Sequence, residues 1–249
     1  MSKQPLDFWA HLDELRKVLV RVAVIVLALA VVAFCFKETL FSIVLAPQNA
    51  DFLTYRLLSK FAALPDFSVP LINTGLAEQF RIHMKVAFEA GVLLTSPYIL
   101  FAIFRFISPA LYKREKRPMI RVVFWSYLMF IIGILVSYFL IFPLTFRFLG
   151  TYKVSESVAN LISLNSYIDT LTMLCMWFGV LFELPLLCWL LGKFGIINAA
   201  FMRRYRRHAI VLLCVLAAII TPTGDIFTLL VVALPLYALY EISIFVVRK

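Results

Sequence analysis

Charge is what this chain lacks most. Only 15% of its 249 residues are charged, and 63% are hydrophobic. A soluble domain carries about 25% charged and about 45–50% apolar residues. The shortfall leaves long apolar runs, which is the signature of bilayer-spanning helices and excludes an ordinary soluble fold. The net charge of +10 is therefore read through membrane topology. No basic run is interleaved with aromatics on a polar domain, which argues against a nucleic-acid surface. Catalytic motifs are missing too. There is no GxSxG, no HExxH, no Walker loop and no Gly-rich nucleotide turn, so no enzyme is expected. Cys35, Cys175, Cys188 and Cys214 lie in or beside apolar runs without CxxC spacing, which excludes a disulfide framework. His11, His83 and His208 pair with no cysteine at ligand spacing, so neither metal nor cofactor is expected. The N-terminus, MSKQPLDFWAHLDELRK, has no short apolar stretch ahead of a small-residue cleavage site, and no removable signal peptide is expected. No internal repeat is visible, which argues against the repeat-built transporters.

What is present is an all-α polytopic membrane protein, a single transmembrane domain over residues 1–249. Six spans are expected: about Val18–Phe36, Val86–Phe104, Val122–Phe146, Thr170–Gly192, 207–222 and Ile226–Val247. The third holds 25 residues without a charge. The fifth has an apolar stretch of only 12 residues, Ala209–Ile220. At 1.5 Å per residue it reaches about 18 Å, against a hydrocarbon core of about 30 Å. A re-entrant segment or a locally thinned bilayer accommodates it. The sixth span is a second candidate for shortness. Of the 24 lysines and arginines, 17 fall on the side of the N-terminus and 7 on the other, so both termini are expected in the cytoplasm. The first outer loop, 37–85, carries Pro47, Pro65 and Pro70 among apolar residues. It is expected to be ordered as short helices.

Acids at bilayer depth are costly, roughly 2.5–3.5 kcal/mol on insertion scales, and are candidate functional groups. Glu183 has 13 uncharged residues before it and nine after. Pro185 lies two positions on and predicts a kink. Glu89 stands four residues after Lys85, the spacing of a helical ion pair. Glu241 is expected to snorkel toward the cytoplasmic face. Asp225, ahead of the sixth span, fits a helix N-cap.

The stretch FISPALYKREKRP, residues 106–118, sets Glu115 among Lys113, Arg114, Lys116 and Arg117. On charge alone Glu115 neutralises its own cluster. A second acidic motif, HLDELRK at 11–17, opens the first span. Together with FGVLFELP at 178–185, TPTGD at 221–225 and LPLYALYEISI at 234–244, these stretches resemble, in order and over nearly the whole chain, the signature segments of the TatC family. That family is the multispanning receptor of the twin-arginine protein translocase. The resemblance implies binding of twin-arginine signal peptides of folded precursors at the cytoplasmic face. It also implies nucleation of a complex with itself and with TatB-like and TatA-like single-span partners, driven by the proton-motive force in the bacterial inner membrane. It places signal-peptide contacts at Glu14, Glu115, Phe106, Arg16 and Leu15. It places transport or partner contacts at Glu183, Asp225, Pro47 and Tyr138. Guanidinium chemistry suits two separate carboxylates, because each accepts a planar fork that lysine cannot reproduce.

Two positions depart from the family pattern. Val18 stands where a second arginine is usual, a role that Lys17 or Arg21 can take. Leu229 follows Thr228 where a glutamine is common. The alternative reading is a proton-coupled small-solute transporter that uses Glu183. A membrane scaffold without a ligand of its own is a third.

Overall fold

The structure is a computed structural model and describes residues 8–60, 69–111, 116–153, 155, 160–221 and 224–247. Glu115 lies outside them. The helices are α1 (Phe8–Cys35), α2 (Lys37–Leu45), α3 (Leu53–Ser59), α4 (Glu78–Leu111), α5 (Lys116–Val136), α6 (Phe142–Thr151), α7 (Leu164–Leu181), α8 (Leu184–Lys193), α9 (Ala199–Arg204), α10 (Arg206–Ile220) and α11 (Ile226–Val247). Two short strands, β1 (Leu71–Ile72) and β2 (Ile162–Ser163), pair in parallel with Leu71 opposite Ile162. Among the described residues, five segments are long and apolar enough to cross a membrane: Leu12–Cys35, Glu78–Phe106, Ile120–Thr151, Leu164–Lys193 and Ile226–Val247. The chain is a multi-pass membrane protein.

Several expected boundaries move. The fifth expected span is α10, whose 15 residues reach about 22 Å. The sixth is not short, because α11 has 22 residues, about 33 Å. The fourth is two helices, with Phe182 and Glu183 at the break and Pro185 in the first turn of α8. The third contains a π turn, Ser137–Ile141, that composition does not betray. The expected outer loop begins with α2, a 3-10 turn at Ala46–Gln48 and α3.

The chain divides into two compact units. The first comprises residues 1–41 and 80–127. Its described core is the antiparallel pair α1 and α4. Gly91 sets their spacing, since a Cβ there would lie 2.7 Å from the Val26 carbonyl oxygen and 2.8 Å from the Ala30 nitrogen. Small residues at such crossings let backbones touch where lipid offers no hydrophobic drive. Six residues further along α4, Pro97 supplies no N–H to the Leu93 carbonyl. The Ser96 hydroxyl donates to that carbonyl instead, at 2.7 Å, which satisfies a group that lipid cannot. Lys85 and Glu89 stand 3.8 Å apart as the expected i,i+4 pair.

The second unit comprises residues 42–79 and 128–249. Gly179 of α7 takes the Phe130 ring, 2.8 Å from where a Cβ would stand. Phe142, Phe146 and Tyr167 form an aromatic cluster with centroids 5.0 Å apart across α6 and α7. The α11 side chains Val232, Leu236 and Ile244 are buried along with Ile220 of α10. Asp225 caps α11 as expected, its carboxylate accepting from the Thr228 N–H at 2.7 Å. Gly224 supplies the left-handed residue (φ +59°) just before it, a conformation that favours glycine. Glu241 has partners on two helices. It binds the Arg206 guanidinium at 2.7 Å and accepts from the Tyr237 hydroxyl at 2.9 Å. A cation within reach satisfies the acid more directly than snorkelling does.

Three tyrosines hold the segment after α1 within the second unit. Tyr138 donates to the Ile43 carbonyl at 2.6 Å and Tyr167 to the Val44 carbonyl at 3.1 Å. The Tyr55 hydroxyl lies 3.1 Å from both the Pro47 and Pro143 carbonyls. Ile43 and Val44 belong to the last turn of α2, whose carbonyls have no helical partner once Pro47 ends the run. Thr54 makes the matching repair on α6. Pro143 cannot donate to the Phe139 carbonyl, and the Thr54 hydroxyl does. Burial raises the Tyr55 phenol far above its ordinary pKa, against a lowering influence from Arg147. Tyr55 therefore stays a donor at any physiological pH.

Candidate functional site

In the first unit a groove of about 340 Å³ opens between the N-terminal half of α1 and the C-terminal half of α4. Glu14, Lys17, Val18 and Arg21 form one wall. They stand at i, i+3, i+4 and i+7, a single helical face. Tyr98, Phe101, Ala102 and Arg105 form the other at the same spacing, with Phe106 beside them. The crossing at Gly91 explains why the two stretches meet. Glu14 lies 12 residues before Val26 and Phe106 lies 15 after Gly91, about 18 and about 22 Å along antiparallel axes.

Three cations and one carboxylate face this groove. Among the described residues none of Glu14, Lys17, Arg21 and Arg105 is held in an ion pair or side-chain hydrogen bond, and Glu14 is exposed. A carboxylate in that state is open to an incoming cation. The aromatic rings of Tyr98, Phe101 and Phe106 add surfaces on which a guanidinium stacks.

Of the residues expected at the signal-peptide site, the structure brings Glu14 and Phe106 together. Arg16 lies on an adjoining depression with Asp13, Lys17, Val20 and Arg21. Leu15 is 37% exposed and lines neither hollow. Glu115 falls outside the described residues. Tyr98, Phe101 and Arg105 were not singled out from sequence. The matching 98/101/102/105 and 14/17/18/21 spacings are the signal that could have found them. Val18 lines the groove wall where the resembled family carries an arginine, and Arg21 faces the same groove one turn on.

The other expected contacts belong to the second unit and do not gather into one pocket. Tyr138 and Pro47 are parts of the tyrosine clamp. Asp225 is the α11 cap. Glu183 is half-buried at the α7–α8 break, its carbonyl accepting from Leu187 N–H at 2.9 Å. Among the described residues no group of three His, Cys, Asp or Glu side chains is placed to hold a metal.

Residues 10–235 match the family described as Sec-independent protein translocase protein (TatC). The Sec-independent protein translocase protein TatC of Desulforapulum autotrophicum is 36% identical, over 98% of this chain and 84% of its own length. The corresponding protein of Blattabacterium sp. subsp. Periplaneta americana is 31% identical, over 98% of this chain and 96% of its own. A crystal structure of a twin arginine translocase receptor, TatC, matches with a TM-score of 0.77 at 34% identity, covering 96% of this chain and 98% of that one.

Proposed function

This chain belongs to the TatC family of Sec-independent protein translocase proteins, and on that premise we propose that it is the receptor for twin-arginine signal peptides. The observation that carries the proposal is the groove in which Glu14, with no partner among the described residues, faces Tyr98, Phe101 and Phe106. One arginine of the pair forks onto the Glu14 carboxylate and stacks on the rings. The second meets Glu115. Successive side chains of an extended peptide point to opposite sides, so two carboxylates serve two arginines. Lys17, Arg21 and Arg105 repel cationic peptides that fail to engage a carboxylate.

The receptor is a single six-span domain in the bacterial inner membrane with both termini in the cytoplasm. It assembles with copies of itself and with TatB-like and TatA-like partners, and the proton-motive force drives transport. Glu183 and Asp225 act in transport or partner contact, and Pro47 and Tyr138 act through the clamp they help to form. A solute transporter built on Glu183 gains no support from the family match.

Photo-crosslinking from position 101 to a precursor bearing Arg-Arg or Lys-Lys tests the proposal. Crosslinks that depend on Arg-Arg are expected. Equal crosslinks to both precursors, or none to either, would overturn it.

A further inference from the structure

The connection between α8 and α10, KFGIINAAFMRRYRR at 193–207, contains no acid. It is nevertheless a built piece of structure. Asn198 caps α9 by accepting from the Phe201 N–H at 2.7 Å. Tyr240 of α11 donates to the Met202 carbonyl at 2.8 Å, and the Met202 side chain is buried. Arg206 is neutralised by Glu241, which Tyr237 also holds. The LPLYALYEISI stretch thus fastens this connection to α11.

The fastening leaves Arg203, Arg204 and Arg207 exposed, and among the described residues no carboxylate pairs with them. Apolar side chains stand out on the same connection: Ile196 is 67% exposed and Phe201 50%. The connection runs from the last turn of α8, part of a candidate membrane span, to the first turn of α10. Gly192, at the end of α8, touches Val247 at the end of α11, where a Cβ would lie 3.0 Å from the valine side chain. Three exposed arginines on one anchored connection, with protruding apolar groups at a membrane surface, match a phospholipid, with its phosphate at the cations and its upper acyl carbons against Ile196 and Phe201. A free phosphate ion would leave the apolar side chains uncovered.

We propose that Arg203, Arg204 and Arg207, presented by the Glu241–Arg206 and Tyr240–Met202 contacts, form a binding site for the headgroup of an anionic phospholipid. The site is separate from the groove at Glu14 and stands or falls independently of signal-peptide recognition.

The test uses the purified full chain in mixed micelles, with native mass spectrometry counting retained phosphatidylglycerol and phosphatidylcholine. Phosphatidylglycerol is expected to bind in preference and to weaken as salt rises. Each arginine near an anionic surface is worth roughly fivefold, so the triple Arg203→Gln, Arg204→Gln, Arg207→Gln variant should lose on the order of a hundredfold in apparent affinity. The triple Arg→Lys variant should stay within several-fold of the unaltered chain. Equal retention of the two lipids by the unaltered chain would overturn the proposal, whether or not the glutamine variant folds. So would a glutamine variant that keeps its phosphatidylglycerol but loses crosslinks to an acidic protein partner.

Discussion

The two units use their polar side chains in opposite ways. Around the groove of the first, Glu14, Lys17, Arg21 and Arg105 face outward without fixed partners among the described residues. In the second, Tyr55, Tyr138, Tyr167 and Thr54 are each tied to a backbone carbonyl of another segment. Charges left open serve an incoming ligand. Hydroxyls committed to carbonyls serve the scaffold, because bilayer and interior offer those carbonyls no water. Mutations of the groove charges and of the clamp hydroxyls should therefore separate binding from stability.

The sharpest break is expected at Glu14. Glu14→Gln removes a charge-assisted bond, so affinity for an Arg-Arg signal peptide should fall about a hundredfold, near 3 kcal/mol. Fluorescence binding in detergent measures it. The thermal midpoint of the chain should not move, and a large drop would place Glu14 in the scaffold instead. Tyr138→Phe should do the reverse. It strands the Ile43 carbonyl and should lower stability by about 1–3 kcal/mol, seen in a denaturation midpoint, with peptide affinity unchanged. Ser96→Ala tests whether the first unit also contains scaffold hydroxyls. Freeing the Leu93 carbonyl should destabilise by about 1 kcal/mol, and only a shift in the midpoint is expected. Val18→Arg is the mildest. A fourth cation in the groove should weaken Lys-Lys peptides a few-fold more than Arg-Arg peptides, and competition binding measures the ratio. An equal effect on both would remove the repulsion argument.

Elements that depend on local chemistry were legible in the sequence. The uncharged run Val122–Phe146, the Lys85–Glu89 spacing and the Asp225 cap each involve residues close together in sequence. Glu14 and Phe106 were legible only through resemblance to a family, since their proximity depends on the Gly91 crossing. The tyrosine clamp was not legible. Tyr167 reaches a carbonyl 123 positions away, and no periodicity reports that. The Arg206 partner of Glu241 was not legible for the same reason, since it lies on another helix, α10. The Arg105 wall was missed because a basic residue near a membrane entry reads first as a topology signal.

The π turn at Ser137–Ile141 carries a consequence for side-chain phase. In it the Phe142 N–H bonds to the Ser137 carbonyl, five residues back. One residue beyond the α-helical count offsets everything downstream by about 100° around the axis. That angular offset sets which sides of α6 carry Pro143, Thr145 and Phe146. A one-residue deletion within 137–141 would return the segment to an ordinary helix and turn these side chains away from Tyr55 and Tyr167. A substitution that keeps the count leaves their azimuth intact.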